Sequence, residues 1–288
     1  MDYASLDAFL DRGKAALAKG PVGIVLIEDL LEADSAIRHQ LACGFRTVLA
    51  FAPPSWVMPA DLAESVHRIA FDMQGREALT RAINPVIAAC PETTWLHYCY
   101  NAEYLFYPFC ETRSVQELLA FHAEERRDAM LTYGVDLYAP DLDKNPDAVN
   151  LDEAMLDRSG YFALTRKDET GAACERQYDF FGGLRWRFEE HVPPDRRKID
   201  RIGLFRAQKG LMLRPDHRFN IEEYNTFACP WHHNITAAIL SFRVAKALKS
   251  NAGSTFGIRT FRWHNSVPFT WQSQQLMDLG LMEPGQWF

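Results

Sequence analysis

The chain has 288 residues, is 48% hydrophobic and 24% charged, and carries a formal net charge of −7. That composition is ordinary for a globular protein, and an acidic chain is a poor nucleic-acid binder. No apolar stretch reaches the ~20 residues that a membrane helix needs. The opening MDYASLDAFLDRGKAALAKG lacks the basic start, apolar centre and small-residue cleavage site of a secretory signal. A cytoplasmic protein with no membrane span is therefore expected.

The opening stretch reads as an amphipathic helix. GPVGIVLIEDL, residues 20–30, is an apolar β-branched run that fits a buried parallel strand. Residues 32–44 have helical spacing at Ile37 and Leu41, with Gly44 as a C-terminal stop. FRTVLAFAPPS is a second strand ended by two prolines, and VHRIAFDM is a third. REALTRAINPVIAACP is a helix expected to break or kink at Pro85, and TTWLHYCY is a fourth strand. Alternating strands and helices imply βαβ units and a parallel sheet. Residues 114–134 read as one long helix, opened by a capping box of Ser114 and Glu117. Residues 139–160 are turn-rich and acidic, which predicts a surface loop, and 161–183 predict a hairpin turning at Asp168–Gly171. Residues 198–219 predict two strands joined near Lys209-Gly210, and 229–251 predict a helix with Pro230 in its first turn.

Several residues stand out chemically. Glu103 interrupts the aromatic run WLHYCYNAEYLFYPF, and a carboxylate in so apolar a setting needs a partner or a ligand. Charge is uneven: residues 1–184 carry a net −13, whereas residues 185–217 carry nine basic and five acidic groups. That basic block, including Arg185, Arg187 and Arg214, suits a phosphorylated small molecule or a solvated face. Glu189, Glu190 and His191, and the pair Asp216 and His217, are candidate bases or surface salt-bridge partners. Gly182-Gly183 fits either a flexible loop or a hairpin turn. The six cysteines form no C-x-x-C pair, so reduced thiols packed in the core are expected. Phosphate-binding loops, dinucleotide fingerprints and nucleophile elbows are absent from the sequence.

The order of these motifs resembles a glycosyltransferase of the GT-A fold, specifically the family 2-like subgroup that opens with a strand ending in Asn-Glu. Glu28, Arg38, His39, Gly44, Phe45 and Ser55 fall where that opening pattern places them, and Glu103 and Tyr104 match the Glu-Phe of the subgroup's Asp-x-Asp-Glu-Phe strand. The resemblance covers roughly the first 130 residues. It implies an α/β, GT-A-like (Rossmann-like) fold: a mostly parallel central sheet flanked by helices, with a mixed α+β C-terminal half. It implies a single domain over 1–288, with a nucleotide-binding half (1–110) and an acceptor-side half (111–288).

The implied activity is transfer of a hexose from a nucleotide-diphosphate sugar to an unknown acceptor. Glu28, Asp29, Ser55, Asn101, Arg185, Arg187 and Arg214 would receive the nucleotide sugar, Glu28 and Asp29 having helix capping as the competing role. Glu190, Asp216 and Glu103 would be catalytic. The Asp-x-Asp carboxylates of such enzymes hold Mn²⁺ or Mg²⁺, but here their positions carry Tyr100 and Ala102, and the base-contacting Asp is replaced by Ala52. Three readings stay open: a shifted metal site on Asn101 and Glu103 with His232 or His233; a metal-independent enzyme using arginines; or a catalytically inactive GT-A-fold binder. A metal-dependent hydrolase built on His232 or His233 is a further alternative.

Overall fold

The structure is a computed structural model and describes residues 1–226 and 235–287. Cys229, Pro230, His232 and His233 lie outside the described residues. The chain divides into two compact units. One comprises Met1–Tyr104, Thr112–Met130 and Ile202–Asn225; the other comprises Leu105–Glu111, Leu131–Arg201 and Thr226–Phe288. Residues 112–130 and 202–225 thus join the first unit although they follow residue 110.

The first unit is an open α/β sheet. β1 (Asp2–Tyr3) precedes α1 (Leu6–Arg12), β2 (Val22–Leu26), α2 (Ala33–Cys43), β3 (Thr47–Ala52), β4 (Val66–Ala70), α3 (Ala78–Ala89) and β5 (Trp95–Tyr100). The strands lie in the order β1, β4, β3, β2, β5, all parallel, and a strand at Asp200–Arg206 runs antiparallel to β5. Every residue of β2, β3 and β5 is buried. This matches their near-continuous apolar sequence, because parallel strands are covered on both faces. Gly23 lets α2 approach β2: a Cβ there would lie 3.0 Å from Gln40 Oε1 and 3.2 Å from the Phe45 ring. Gly44, at φ 94°, ends α2 in the left-handed conformation that glycine tolerates. α3 runs on through Pro85.

The capping box at α4 (Val115–Glu124) is formed, with Glu117 Oε2 accepting from Ser114 N at 2.7 Å. The helix does not continue to Gly134, however. Arg126 turns left-handed at φ 55°, and residues from Ala129 form a strand. The aromatic and β-branched MLTYGV suits a pleated surface better than a helix. Of the two strands expected over 198–219, only the first forms. Leu213 and Phe219 make a single bridge around a turn in which Arg214 N–H is donor to Arg218 O and His217 sits at φ 63°. Pro215 has no N–H to offer a ladder there.

β6 (Glu103–Phe106) leads out of the first unit. In the second unit, β7 (Ala129–Tyr138) pairs antiparallel with β8 (Met155–Asp157), and β8 pairs with the short strand Ser266–Pro268. β8 falls in the region expected to be loop. β9 (Phe162–Lys167) and β10 (Ala173–Phe181) form the expected hairpin, its turn held by Asp168 Oδ1, which accepts from Thr170 N and Ala172 N. α5 (Gly183–Arg187) follows, then β11, the Asp200–Arg206 strand already described. The helix expected over 229–251 is corrected within the described residues: Ala237–Ser241 is strand β12, parallel to β7, and only Arg243–Ser250 is helical (α6). A short apolar run such as TAAILS fits a buried strand as well as a buried helix. β13 (Ser266–Pro268) and α7 (Ser273–Asp278) complete the unit. Its core gathers Tyr138, Leu142, Met155, Leu184, Leu248, Ile258 and Phe261. No described helix is long and apolar enough to cross a membrane.

One buried titratable group of the first unit sets a pH dependence. His122 on α4 is 1% exposed, lies edge-on to Trp95, and is pushed down from its ordinary 6.5 to about 4, first by burial and then by Arg127. Because the folded value is depressed, the unfolded chain takes up the proton first. Stability should therefore fall as pH drops from about 6.5 to 4, by roughly 3 kcal/mol if this group acts alone. Urea midpoints at pH 7 and pH 4.5 should differ less for His122→Leu than for the wild type.

Candidate functional site

The carboxyl ends of β2 and β5 meet through one side chain. Asn101, the residue after β5, is fully buried. Its Oδ1 accepts from Glu28 N at 2.9 Å, and its Nδ2 donates to Asp29 Oδ1 at 2.7 Å and to Leu31 O at 2.8 Å. Asp29 Oδ1 also accepts from Leu31 N at 2.9 Å. Gln74 Nε2, beyond β4, donates to Glu28 O at 3.1 Å. The loop between β2 and α2 is thus held at several backbone positions by side chains from the segments that follow β5 and β4. Glu28 is half-buried and Asp29 exposed, so both lie on the rim of this end of the sheet.

Glu103 is 2% exposed, and its Oε2 accepts from Tyr100 N at 2.9 Å across the turn through Ala102. Ala102 is left-handed at φ 58°, as is Glu32 at φ 54°. Ser35 Oγ contacts Glu32 Oε2 at 2.5 Å and Tyr104 OH at 2.8 Å, and His39 lies edge-on to Tyr104. Burial raises the Tyr104 phenol above its usual range. His217 and Tyr98 have near-parallel ring planes, 2° apart with centres 5.9 Å apart, and are joined edge to edge by a 2.9 Å contact between His217 Nδ1 and the Tyr98 hydroxyl; His217 is edge-on to Tyr100. This contact brings the 214–218 turn against β5. Within that turn Asp216 Oδ2 accepts from Arg218 Nε at 2.6 Å, while Arg214 is exposed. Ser55 is exposed after Pro53-Pro54. Glu28, Asp29, Asn101 and Glu103 are therefore brought together, and the Asp216 turn reaches the same strand.

Arg185, Arg187 and Glu190 belong to the second unit. Arg185 donates to the carbonyls of Arg196 and Lys198. Arg187 spans both oxygens of Asp157 at 3.1 Å, donates to Phe261 O at 2.6 Å and lies 4.6 Å above the Trp263 ring. Asp157 also accepts from Tyr138 OH and Trp263 Nε1. Both terminal nitrogens of Arg187 are thereby engaged inside the unit. Glu190 is exposed, 3.7 Å from His191. Gly182-Gly183 is neither a free loop nor a hairpin turn. A Cβ on Gly183 would lie 2.6 Å from Asp136 Oδ2, which accepts from Leu184 N.

Asp136 was not singled out in the sequence. Burial pushes its carboxyl up to about 6. An acid within the apolar run MLTYGVDLYA carries the same signal as Glu103, but the run's first part, to Gly134, read as the end of a helix and the residues around Asp136 were given no element. The Tyr98–His217 contact and the Gln74 contact had no sequence signal, since their partners lie 119 and 46 residues away.

The divalent ion implied by the resemblance needs several oxygen ligands. Asn101 has both ends of its amide committed to the loop, and Glu103 turns an oxygen onto its own strand end, so these two residues do not fit a metal pair. Among the described residues, no group of three or more His, Cys, Asp or Glu side chains is placed to hold a metal. No protein-family model matches this chain, and no curated protein matches it.

Removing the Asn101 amide would leave Glu28 N–H and Leu31 C=O without that partner in a part-buried setting. Asn101→Ala should cost about 1–3 kcal/mol, read as a lower urea midpoint. Asn101→Asp should cost at least as much, because its carboxylate would face Asp29 and Leu31 O.

Proposed function

We propose that the chain is a GT-A-like nucleotide-sugar protein that transfers a hexose to an acceptor without a metal. The observation that carries this reading is the Asn101 clamp. It shapes a loop at the carboxyl ends of β2 and β5, and open α/β sheets bind their ligands at that end. Two further features support it. The first unit has a parallel order of β4, β3, β2 and β5 followed by an antiparallel strand. Of the six non-glycine residues with left-handed backbone described in that unit, Glu32, Ala102 and His217 flank this end of β2 and β5; such backbone costs of order 1–3 kcal/mol each and gathers at functional sites.

In this reading Glu28, Asp29 and Ser55 contact the nucleotide. Asn101 and Glu103 act as positioning residues that hold the loop and the strand end. Their hydrogen bonds, and Tyr100 and Ala102 at the Asp-x-Asp positions, support metal independence in this reading. Guanidinium groups would offset the diphosphate charge instead. Of the three arginines expected there, Arg214 is the one with an exposed side chain outside the described ion pairs. Asp216, in the same unit as this loop and paired with Arg218, is the candidate general base. A cytoplasmic location fits a nucleotide-sugar donor.

A second reading, a binder without turnover, is favoured by the same absence of the two aspartates. Calorimetry with UDP- and GDP-sugars, with and without Mn²⁺, should give saturable binding at about 1 μM–1 mM that Mn²⁺ leaves unchanged. No heat with any of them removes the donor assignment. A nucleotide-release assay separates the two readings. The transferase should release UDP or GDP, with Asp216→Asn slowing release about 100-fold, whereas the binder should release none.

A further inference from the structure

The second unit carries a basic, aromatic surface that the proposed transfer reaction does not use. Residues 224–277 contain five Lys or Arg and no Asp or Glu, in a chain whose formal net charge is −7. All five cations lie on α6 or on the segment between it and β13.

That segment is firmly held. Lys249 Nζ donates to Thr255 O at 2.8 Å and to Ile258 O at 3.1 Å, and Ser254 Oγ donates to Leu248 O at 2.6 Å. Ile258 and Phe261 are buried in the core with Tyr138, Leu184 and Leu248. With those two side chains turned inward, Arg259, Thr260 and Arg262 lie outside, and Phe256 is left 88% exposed. Arg158, just beyond β8, is exposed and joins this segment: its Nε donates to Asn265 Oδ1 at 3.3 Å. Trp263 donates its indole N–H inward to Asp157 at 2.7 Å, so the outer part of its ring is hydrocarbon, and it lies edge-on to the half-exposed Trp186.

The charge of this surface is not spent inside the molecule. Among the described residues, no carboxylate forms an ion pair with Arg158, Arg259 or Arg262. Acids on the segments packed against them are engaged elsewhere: Asp157 by Arg187, Asp141 by Lys144 and Glu189 by Arg197.

We infer that this surface docks on an anionic lipid membrane. Guanidiniums pair with headgroup phosphates and carboxylates through two parallel hydrogen bonds. Indole rings settle at the level of the headgroups, and a bare Phe enters the acyl boundary beneath them. The acidity of the whole chain does not oppose this, because at physiological salt charge is felt over only about 8 Å, and carboxylates farther than that from the lipid are screened. A duplex nucleic acid fits less well, since it has no apolar layer to receive Phe256. The assignment is independent of nucleotide binding in the first unit, and either can fail without the other.

The test is co-sedimentation of the full chain with phosphatidylcholine vesicles, with and without phosphatidylserine, alongside tryptophan fluorescence. Binding should require the anionic lipid, weaken as salt rises and shift the emission to the blue. Arg259→Gln combined with Arg262→Gln should weaken it about 10-fold or more. Phe256→Ser, at a side chain already in water, should weaken it at least about 5-fold with the thermal midpoint unchanged. No binding to the anionic vesicles, equal binding to the neutral ones, binding untouched by either variant, or tighter binding to a duplex DNA oligonucleotide overturns the inference.

Discussion

A single buried carboxamide decides the shape of the end of the sheet where a ligand would sit. Parallel strands deliver their carboxyl ends to one edge, but the loops that follow have no sheet ladder to hold them. Asn101 supplies that hold by taking one N–H and giving two hydrogen bonds, all within 3 Å. Each is worth only about 1 kcal/mol net, yet leaving the partners unsatisfied costs more. The constraint is therefore strong in one direction: the loop is free to be a ligand site only while the amide is present. The same bonds explain why the residue does not serve as a metal ligand.

Buried charge follows one rule in both units. Glu103 is turned onto a backbone N–H, Asp157 is enclosed by Arg187, Tyr138 and Trp263, and Arg166 lies between two aspartates. A buried ion needs such partners, because removing one member strands the other in a low-dielectric setting. Arg187 shows how far the rule can mislead a reading from sequence. A basic block suggests a phosphate, but a large part of its charge is consumed internally. Of the three arginines singled out in that block, Arg214 is exposed and outside the described ion pairs, so its charge is what remains for a ligand.

Much of the first unit was legible because its chemistry is local. β2, β3 and β5 are apolar runs bounded by Gly, Pro or polar turns, Gly44 ends a helix as glycine does, and Ser114 caps with Glu117 three residues on. The misreadings share a cause. At Glu124–Asp128 the charged helical pattern carries on past the point where the chain turns, and in TAAILS the apolar period fits two elements equally. There the deciding term is pairing with a distant strand, β12 against β7, which local pattern does not encode. At the site, Glu103 announced itself as an acid in an apolar run. The partners of Asn101 lie some 70 residues away and left no trace in the sequence. Asp136 went unnoticed because the first part of its strand, up to Gly134, was taken for a helix and the rest was given no element.

The claim that the Asn101-held loop is the ligand site is tested most directly by amide hydrogen exchange at Glu28 and Leu31, residue by residue, with and without a saturating UDP- or GDP-sugar. Both amides should exchange slowly in the free protein, since both are held by side chains, and more slowly still with the nucleotide sugar bound. Exchange at the rate of an unstructured loop, or protection unchanged by a nucleotide sugar shown by calorimetry to bind, would contradict it.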